Sequence, residues 1–233
     1  SCDDIAVLSD TAEQMFFDPN IQNSTHKEEF SDFTLVRLFE YHQVFRDMLV
    51  KEPIISWVEK ILGNNCHLIA DGYIRNEPGQ QIGHWHVDDP LMLPFLKDLK
   101  LEKNIVLPIF SLTVMIPLTE ILTEEDGPTQ FIPGSHAAGY LPEKSKTPTF
   151  QGQGPVSMFV KPGDIYLFNG QCWHHGAPNH SKTRRIYQMC FGPRFIAQRF
   201  YPYLNYHLDE KILNNASERL SRLLGKHTRG SFG

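Results

Sequence analysis

Between Glu40 and Gly63 the chain reads EYHQVFRDMLVKEPIISWVEKILG, which sets Val44, Phe45, Met48, Leu49, Ile54, Ile55, Val58, Ile61 and Leu62 near helical spacing. Pro53 lacks a backbone N–H and crowds the preceding turn, so two helices are predicted here instead of one. Residues 1–62 read as mostly helical, without a clear strand. From about residue 66 the period changes: CHLIADGYIR, NIVLPIFSLTVMIPLTE, GPVSMFV, DIYLF and RRIYQMCFG are short strand-like runs punctuated by Gly, Pro and Asp. Such a series predicts a sandwich or barrel of the jelly-roll kind. Helical spacing returns in ASERLSRLLG, where Leu220, Leu223 and Leu224 share a face, Asn215 and Glu218 are spaced as a capping pair, and Gly225 is a stop. EKSKTPTFQGQGP reads as a long flexible loop. The expected fold class is mainly β with flanking helices. One domain over 1–233 is predicted: a mostly helical part over 1–62, a jelly-roll core over about 66–200 and a helical part over 209–225.

Composition narrows the function classes. At 233 residues with 41% apolar side chains the chain can bury a real core. A net charge of -5, with Lys and Arg dispersed, offers no footprint for nucleic acid or an anionic membrane. No apolar run is long enough to cross a bilayer, and SCDDIAVLSD lacks the basic-then-apolar build of a signal peptide. The four cysteines, Cys2, Cys66, Cys172 and Cys190, show no CxxC spacing, so reduced thiols in a cytoplasmic protein are expected. A monomer or weak homo-oligomer acting on a small molecule fits these features.

Candidate chemistry concentrates in GQQIGHWHVDDP, Gly79 to Pro90. A histidine and a carboxylate two residues apart leave an extended chain on the same side, so His86 and Asp88 can reach one ion. The same spacing occurs in His26/Glu28 and His207/Asp209, but only His86/Asp88 follows a strand-like run and has most of the strand-rich region after it. A third ligand is offered by GDIYLFNGQCWHHGAPNHSKTRRIYQMCF. Its adjacent His174 and His175 face opposite ways in an extended segment, so one of them ligates. Two histidines and one carboxylate leave open positions on a six-coordinate ion, as non-haem Fe(II) oxygenases require. A catalytic zinc site from His84, His86 and one of the later histidines is the rival.

Four blocks in order, from about Ile61 onward, resemble the phytanoyl-CoA dioxygenase-like branch of the Fe(II)/2-oxoglutarate oxygenases. WHVD is similar to the family block that carries two iron ligands, which maps them to His86 and Asp88. DGPTQFIPGSHAAG is similar to the block between the metal-binding strands, and GDIYLFNGQCWHHGAPNHS to the block of the distal histidine. In the family that ligand precedes an asparagine by five residues, which selects His174 through Asn179. The family's 2-oxoglutarate arginine follows by eleven, which selects Arg185 over Arg184. Arg185 also leads the interior-looking set Tyr187, Met189 and Phe191.

The resemblance implies Fe(II) with 2-oxoglutarate and O2 as cosubstrates, oxidation of a substrate C–H bond, and release of succinate and CO2. An aspartate at position 88, where related halogenases carry Gly or Ala, implies hydroxylation or another oxidation over halogenation. Thr113 and Thr129 are expected as hydroxyl donors to the cosubstrate, with Gln81 or His84 as further neighbours. Trp85 and Trp173 alternate with the ligands and are expected in the core. PGSH is expected to be architectural. Competing readings are a zinc or manganese hydrolase or isomerase on a cupin-like barrel, and a non-catalytic metal-binding jelly roll. The apolar stretch PLMLPFLKDLKLEKNIVLP is expected as a cover over the metal, presenting Met92 and Phe95 to a hydrophobic substrate.

Overall fold

A computed structural model describes residues 2–22, 34–80, 83–88, 107–143, 146–200 and 206–227. Packing divides the chain into two compact units, residues 1–74 with 186–233, and residues 75–185.

In the first unit, α1 (Cys2–Phe17) buries Leu8, Ala12 and Met15, which follow one another at helical spacing. Further helices are α2 (Pro19–Gln22), α3 (Leu38–Tyr41), α4 (Gln43–Leu49) and α5 (Ile54–Leu62). The run read as two helices is thus broken ahead of Ile54, at Pro53, and Phe45, Met48, Leu49, Ile55 and Val58 go inward. A strand stands where none is expected: β1 (Thr34–Val36) pairs antiparallel with β2 (His67–Asn76), Leu35 opposite Tyr73. Three residues are too few to display a period, so only pairing reveals it. β2 also neighbours β8 (Arg184–Gly192). Tyr187 packs on Phe45 with ring centroids 5.2 Å apart.

At the C-terminal side, α6 (Glu218–Leu223) is capped by Ser217, whose hydroxyl accepts from Leu220 N at 3.1 Å. The expected cap, Asn215, is instead a left-handed residue with φ 64°, because the helix starts later than its apolar spacing implies. Leu220, Leu223 and Leu224 are buried as expected, and Arg219 ties the helix to Glu59 of α5 at 2.7 Å.

In the second unit, β3 (Leu112–Pro117) pairs antiparallel with β6 (Tyr166–Asn169), Thr113 opposite Phe168 and Met115 opposite Tyr166. A three-stranded sheet has the order β5 (Val156–Ser157), β4 (Thr129–Phe131), β7 (His174–Gly176). Phe131 stands opposite His174 and Thr129 opposite Gly176. Trp85, Ile132, Ala138 and Trp173 form one buried cluster, so both tryptophans pack away from the polar face. In the PGSH turn Ser135 Oγ donates to Ile132 O at 2.7 Å and accepts from Trp173 N at 2.7 Å. No described helix is long and apolar enough to cross a membrane, and Cys66, Cys172 and Cys190 are free thiols.

Candidate metal centre

His86, Asp88 and His174 are brought together, with one ligand atom from each within 4.8 Å of the others. Backbone pairing does this. His86 and His174 exchange both N–H···O bonds at 3.0 Å, and Asp88 N donates to Gly170 O at 2.9 Å. Opposed residues in an antiparallel pair share a face, so both imidazoles arrive on the same side.

Each ring is also oriented. His86 Nδ1 lies 2.6 Å from His84 O, and His174 Nδ1 lies 2.8 Å from Cys172 O. A carbonyl only accepts, so both Nδ1 atoms carry hydrogen, and in the neutral rings both Nε2 atoms are the ones that present lone pairs, as metal ligands require. Asp88 Oδ1 is 3.2 Å from His174 Nε2 and 3.9 Å from His86 Nε2. Thr113 Oγ1 donates to the other carboxylate oxygen at 3.0 Å, which leaves Oδ1 for an ion.

Burial works against the charge on Asp88, but His174, His86 and the Thr113 hydroxyl hold its carboxyl below the usual range. Burial likewise opposes protonation of His174, and the adjacent Asp88 more than offsets it, so that ring is pushed up. Burial and then the neighbouring His174 push His86 down.

Gly170 is a steric requirement of this arrangement. A Cβ there would stand 2.2 Å from Ser111 Oγ and 3.1 Å from Asp88 Oδ2. Nothing in the chain's hydropathy marks this glycine; the close approach is visible only in three dimensions.

His175 points away, as alternation requires. Its ring stacks on Trp85 at 4.1 Å, and its Nε2 lies 2.8 Å from Gln130 Oε1. His84 is exposed, contributes its carbonyl to His86, and is not in the donor cluster. His136 is exposed on its short turn. Gln81 and most of the apolar stretch after Asp88, residues 89–106, lie outside the described residues.

Away from the metal donors, the face bearing Thr113, Phe131 and Phe168 continues to Met115, Thr129 and Tyr166. Phe131 and Phe168 lie against the His174 ring at 5.8 and 4.7 Å. Two residues further along β4 and β6, about 7 Å of strand, Thr129 Oγ1 and the Tyr166 hydroxyl meet at 2.9 Å. Arg184 lies close enough for its charge to act on Tyr166. It is 3% exposed, its Nη1 donates to Gly127 O, and its Nε has no partner. Burial pushes this guanidinium down to about 10, and among the described residues no carboxylate pairs with it. The Gly127 carbonyl is held by the Asp126 turn, which accepts from Leu122 N, Thr123 N and Ser181 Oγ at 2.8, 3.0 and 2.5 Å.

Arg185 takes the opposite side of the strand. Its N–H donates to Thr119 Oγ1 at 3.0 Å and its carbonyl accepts from Leu118 N at 2.9 Å. The arrangement therefore departs from the expectation for Arg185. Tyr187, Met189 and Phe191, which share its alternation, are indeed buried, but so are Ile186 and Cys190 on the other face. A strand buried on both sides does not reveal by hydropathy which face meets a ligand.

With this geometry in view, the lineage of the chain is clear. Residues 3–187 match the phytanoyl-CoA dioxygenase (PhyH) family, and the chain belongs to it. Dioxygenase lolE1 of Epichloe uncinata is 25% identical over 152 residues, 64% of this chain and 54% of that protein. Dioxygenase trt7 of Aspergillus terreus is 31% identical over 125 residues, 52% of this chain and 40% of that protein. The chain spans about half the length of the curated relatives it matches. Among solved structures, EctD from S. alaskensis with bound Fe matches with a TM-score of 0.67 at 20% identity, over 86% of this chain and 71% of that one. HygX from Streptomyces hygroscopicus with nickel and 2-oxoglutarate bound matches with a TM-score of 0.62 at 16% identity, over 84% and 79%. The mainly β, jelly-roll fold class expected from the sequence is thus shared with solved relatives.

Proposed function

We propose that the protein is an Fe(II)- and 2-oxoglutarate-dependent dioxygenase that oxidises, most simply hydroxylates, a C–H bond of a small molecule. His86 Nε2, Asp88 Oδ1 and His174 Nε2 would hold the iron. Two nitrogens and one oxygen on one side of an ion suit Fe(II) and leave positions for cosubstrates. Bound iron with 2-oxoglutarate and O2 supplies the oxidising power, with release of succinate and CO2.

The observation that carries this reading is the buried, incompletely bonded guanidinium one side-chain layer from the metal donors. A cation without a carboxylate partner in a dry site awaits an anion. The order along the face, metal donors, aromatic rings, then Arg184 with Tyr166 and Thr129, supports a 2-oxo diacid with its oxo end at the metal and its far carboxylate at Arg184. Arg184 is thus the proposed clamp on the far carboxylate, where its planar fork bonds two oxygens at once. Thr129 and Tyr166 are its hydroxyl neighbours, and Thr113 positions Asp88. A hydrolase or isomerase would need such a clamp only for a substrate that itself bears an anionic group.

A small-molecule substrate is supported by relatives: HygX has been solved with hygromycin B bound and EctD with 5-hydroxyectoine. For this chain the half-buried Phe131 and Phe168 beside His174 favour a largely apolar group near the iron. Free thiols support an intracellular setting. The test is a screen of candidate substrates with Fe(II) and 2-oxoglutarate, reading succinate and product mass. Succinate release coupled to a substrate gaining one oxygen is expected; turnover without O2 would reject the proposal.

A further inference from the structure

Asp126 and Gly127 open the stretch DGPTQFIPGSH, and neither belongs to the metal donors or to the aromatic layer beside them. Among the described residues the Arg184 guanidinium has one hydrogen-bond partner, the Gly127 carbonyl, so that carbonyl determines how the planar fork lies. The position requires glycine. Its φ is 67°, and a Cβ would stand 2.9 Å from Asn179 Cβ and 3.0 Å from Ala177 O.

Asp126, 6% exposed, ties down both partners of that contact with its two carboxylate oxygens. Oδ2 accepts from Leu122 N at 2.8 Å, Thr123 N at 3.0 Å and Thr123 Oγ1 at 3.2 Å, which closes the turn that delivers Gly127. Oδ1 accepts from Ser181 Oγ at 2.5 Å and pairs with Lys182 Nζ at 3.4 Å, in the loop that delivers Arg184. Main-chain bonds run between the same two segments, from His180 N to Glu125 O at 2.8 Å and from Ala177 N to Pro128 O at 2.9 Å. Burial opposes the charge on Asp126, but the Ser181 hydroxyl, the Leu122 and Thr123 amides and Lys182 hold its carboxyl well below the usual range. The acceptor sites of this anion are filled within the turn and the loop, so it does not compete with a ligand for Arg184.

We propose that Asp126 is a positioning residue for the cosubstrate clamp, acting through Gly127 and Arg184 without touching the ligand, an inference that rests on the 2-oxoglutarate reading above. One side chain sets the donor and the acceptor of the Arg184–Gly127 bond at once. Without it the turn and the loop relax separately and the carbonyl leaves the guanidinium. The fork then loses the orientation in which two of its N–H groups meet the far carboxylate. The metal donors are held by other bonds, the His86–His174 bridge and Asp88 N to Gly170 O, so iron binding does not depend on Asp126.

Anaerobic calorimetric titration of the Fe(II)-loaded protein tests the assignment, with two ligands: 2-oxoglutarate, and 2-oxopentanoate, which carries a methyl group in place of the far carboxylate. Asp126→Ala is expected to weaken 2-oxoglutarate about tenfold or more and to leave the affinities for 2-oxopentanoate and Fe(II) unchanged. In an Arg184→Ala background the same substitution is expected to weaken 2-oxoglutarate no further, because the group it positions is gone. Equal weakening of both ligands, no weakening of either, or losses that add in the double variant overturns the proposal and leaves Asp126 a turn residue alone. Should Asp126→Ala fail to fold, Ser181→Ala with Lys182→Ala in one chain, which strips Oδ1 of its partners, takes its place. An unchanged preference for the diacid over the monoacid in that chain overturns the proposal. A wild-type protein that does not bind 2-oxoglutarate, or an Arg184→Ala variant that binds it as the wild type does, is a separate result, which removes the clamp reading and this inference with it.

Discussion

His86 and His174 form a single antiparallel bridge, each bonded to the other's carbonyl at 3.0 Å, with ring centroids 4.3 Å apart. The ligand pair is thereby built by main-chain pairing, and the residue after His174 is turned to the reverse face. His174→Ala and Asp88→Ala are each expected to abolish retention of Fe(II) and turnover, measured as metal content after dialysis and succinate formation. His175→Ala is expected to keep its metal and to lose about 1 kcal/mol of stability with the Trp85 stack. Loss of metal in the His175 variant, with retention in the His174 variant, would reverse the assignment.

Gly170→Ala adds one methyl group where Ser111 Oγ and Asp88 already meet. Its backbone φ is not positive, so the effect comes from contact alone. Fe(II) affinity is expected to fall at least tenfold, and Ser111→Ala in the same chain is expected to restore part of it by clearing the nearer atom. A Gly170→Ala protein with unchanged metal affinity would contradict the steric account.

Of the two adjacent arginines, Arg184→Ala is expected to weaken 2-oxoglutarate by roughly 2–4 kcal/mol and Arg185→Ala by less than about 1. Titration of both variants decides the matter. Equal losses, or the reverse order, would restore the spacing-based choice of Arg185.

Asp71 sits fully buried in the first unit, accepting from the Tyr187 hydroxyl at 3.3 Å and from Phe39 N at 3.4 Å. Burial raises its pKa from 3.8 to about 7. The folded state therefore binds a proton that the unfolded state releases, so the contribution of this group to stability is full below about pH 4 and declines as pH climbs to 7. The decline amounts to about 4 kcal/mol, and no further loss from this group follows above that window. Asp71→Asn is expected to flatten the profile and to melt above the wild type at pH 8. Parallel melting-temperature profiles for the two proteins between pH 5 and 8 would refute this.

How much of this was legible in the sequence differs by feature. His86, Asp88 and His174 are readable because a strand's two-residue alternation converts spacing into direction, and Pro53 punctuates a clear helical period. β1 escapes because Thr34–Val36 is shorter than any period, and the Ser217 cap because apolar spacing locates a helix better than its first residue. The choice between Arg184 and Arg185 is not legible by hydropathy: with Ile186, Tyr187, Met189 and Phe191 all at 0% exposure, the two faces of the strand look alike. Gly170 is silent in one dimension, since its role depends on what crosses it from a distant strand.

The tandem Arg184–Arg185 bears on how this lineage can change. A strand that slides by one position exchanges its two faces, and the loop between His174 and β8 is where single residues are most easily gained or lost. With guanidinium groups at both positions, a one-residue shortening of that loop would still deliver an arginine to the pocket. Deleting one loop residue from an Arg184→Ala variant is the direct check: regained 2-oxoglutarate affinity is the expected outcome, and no regain would refute it.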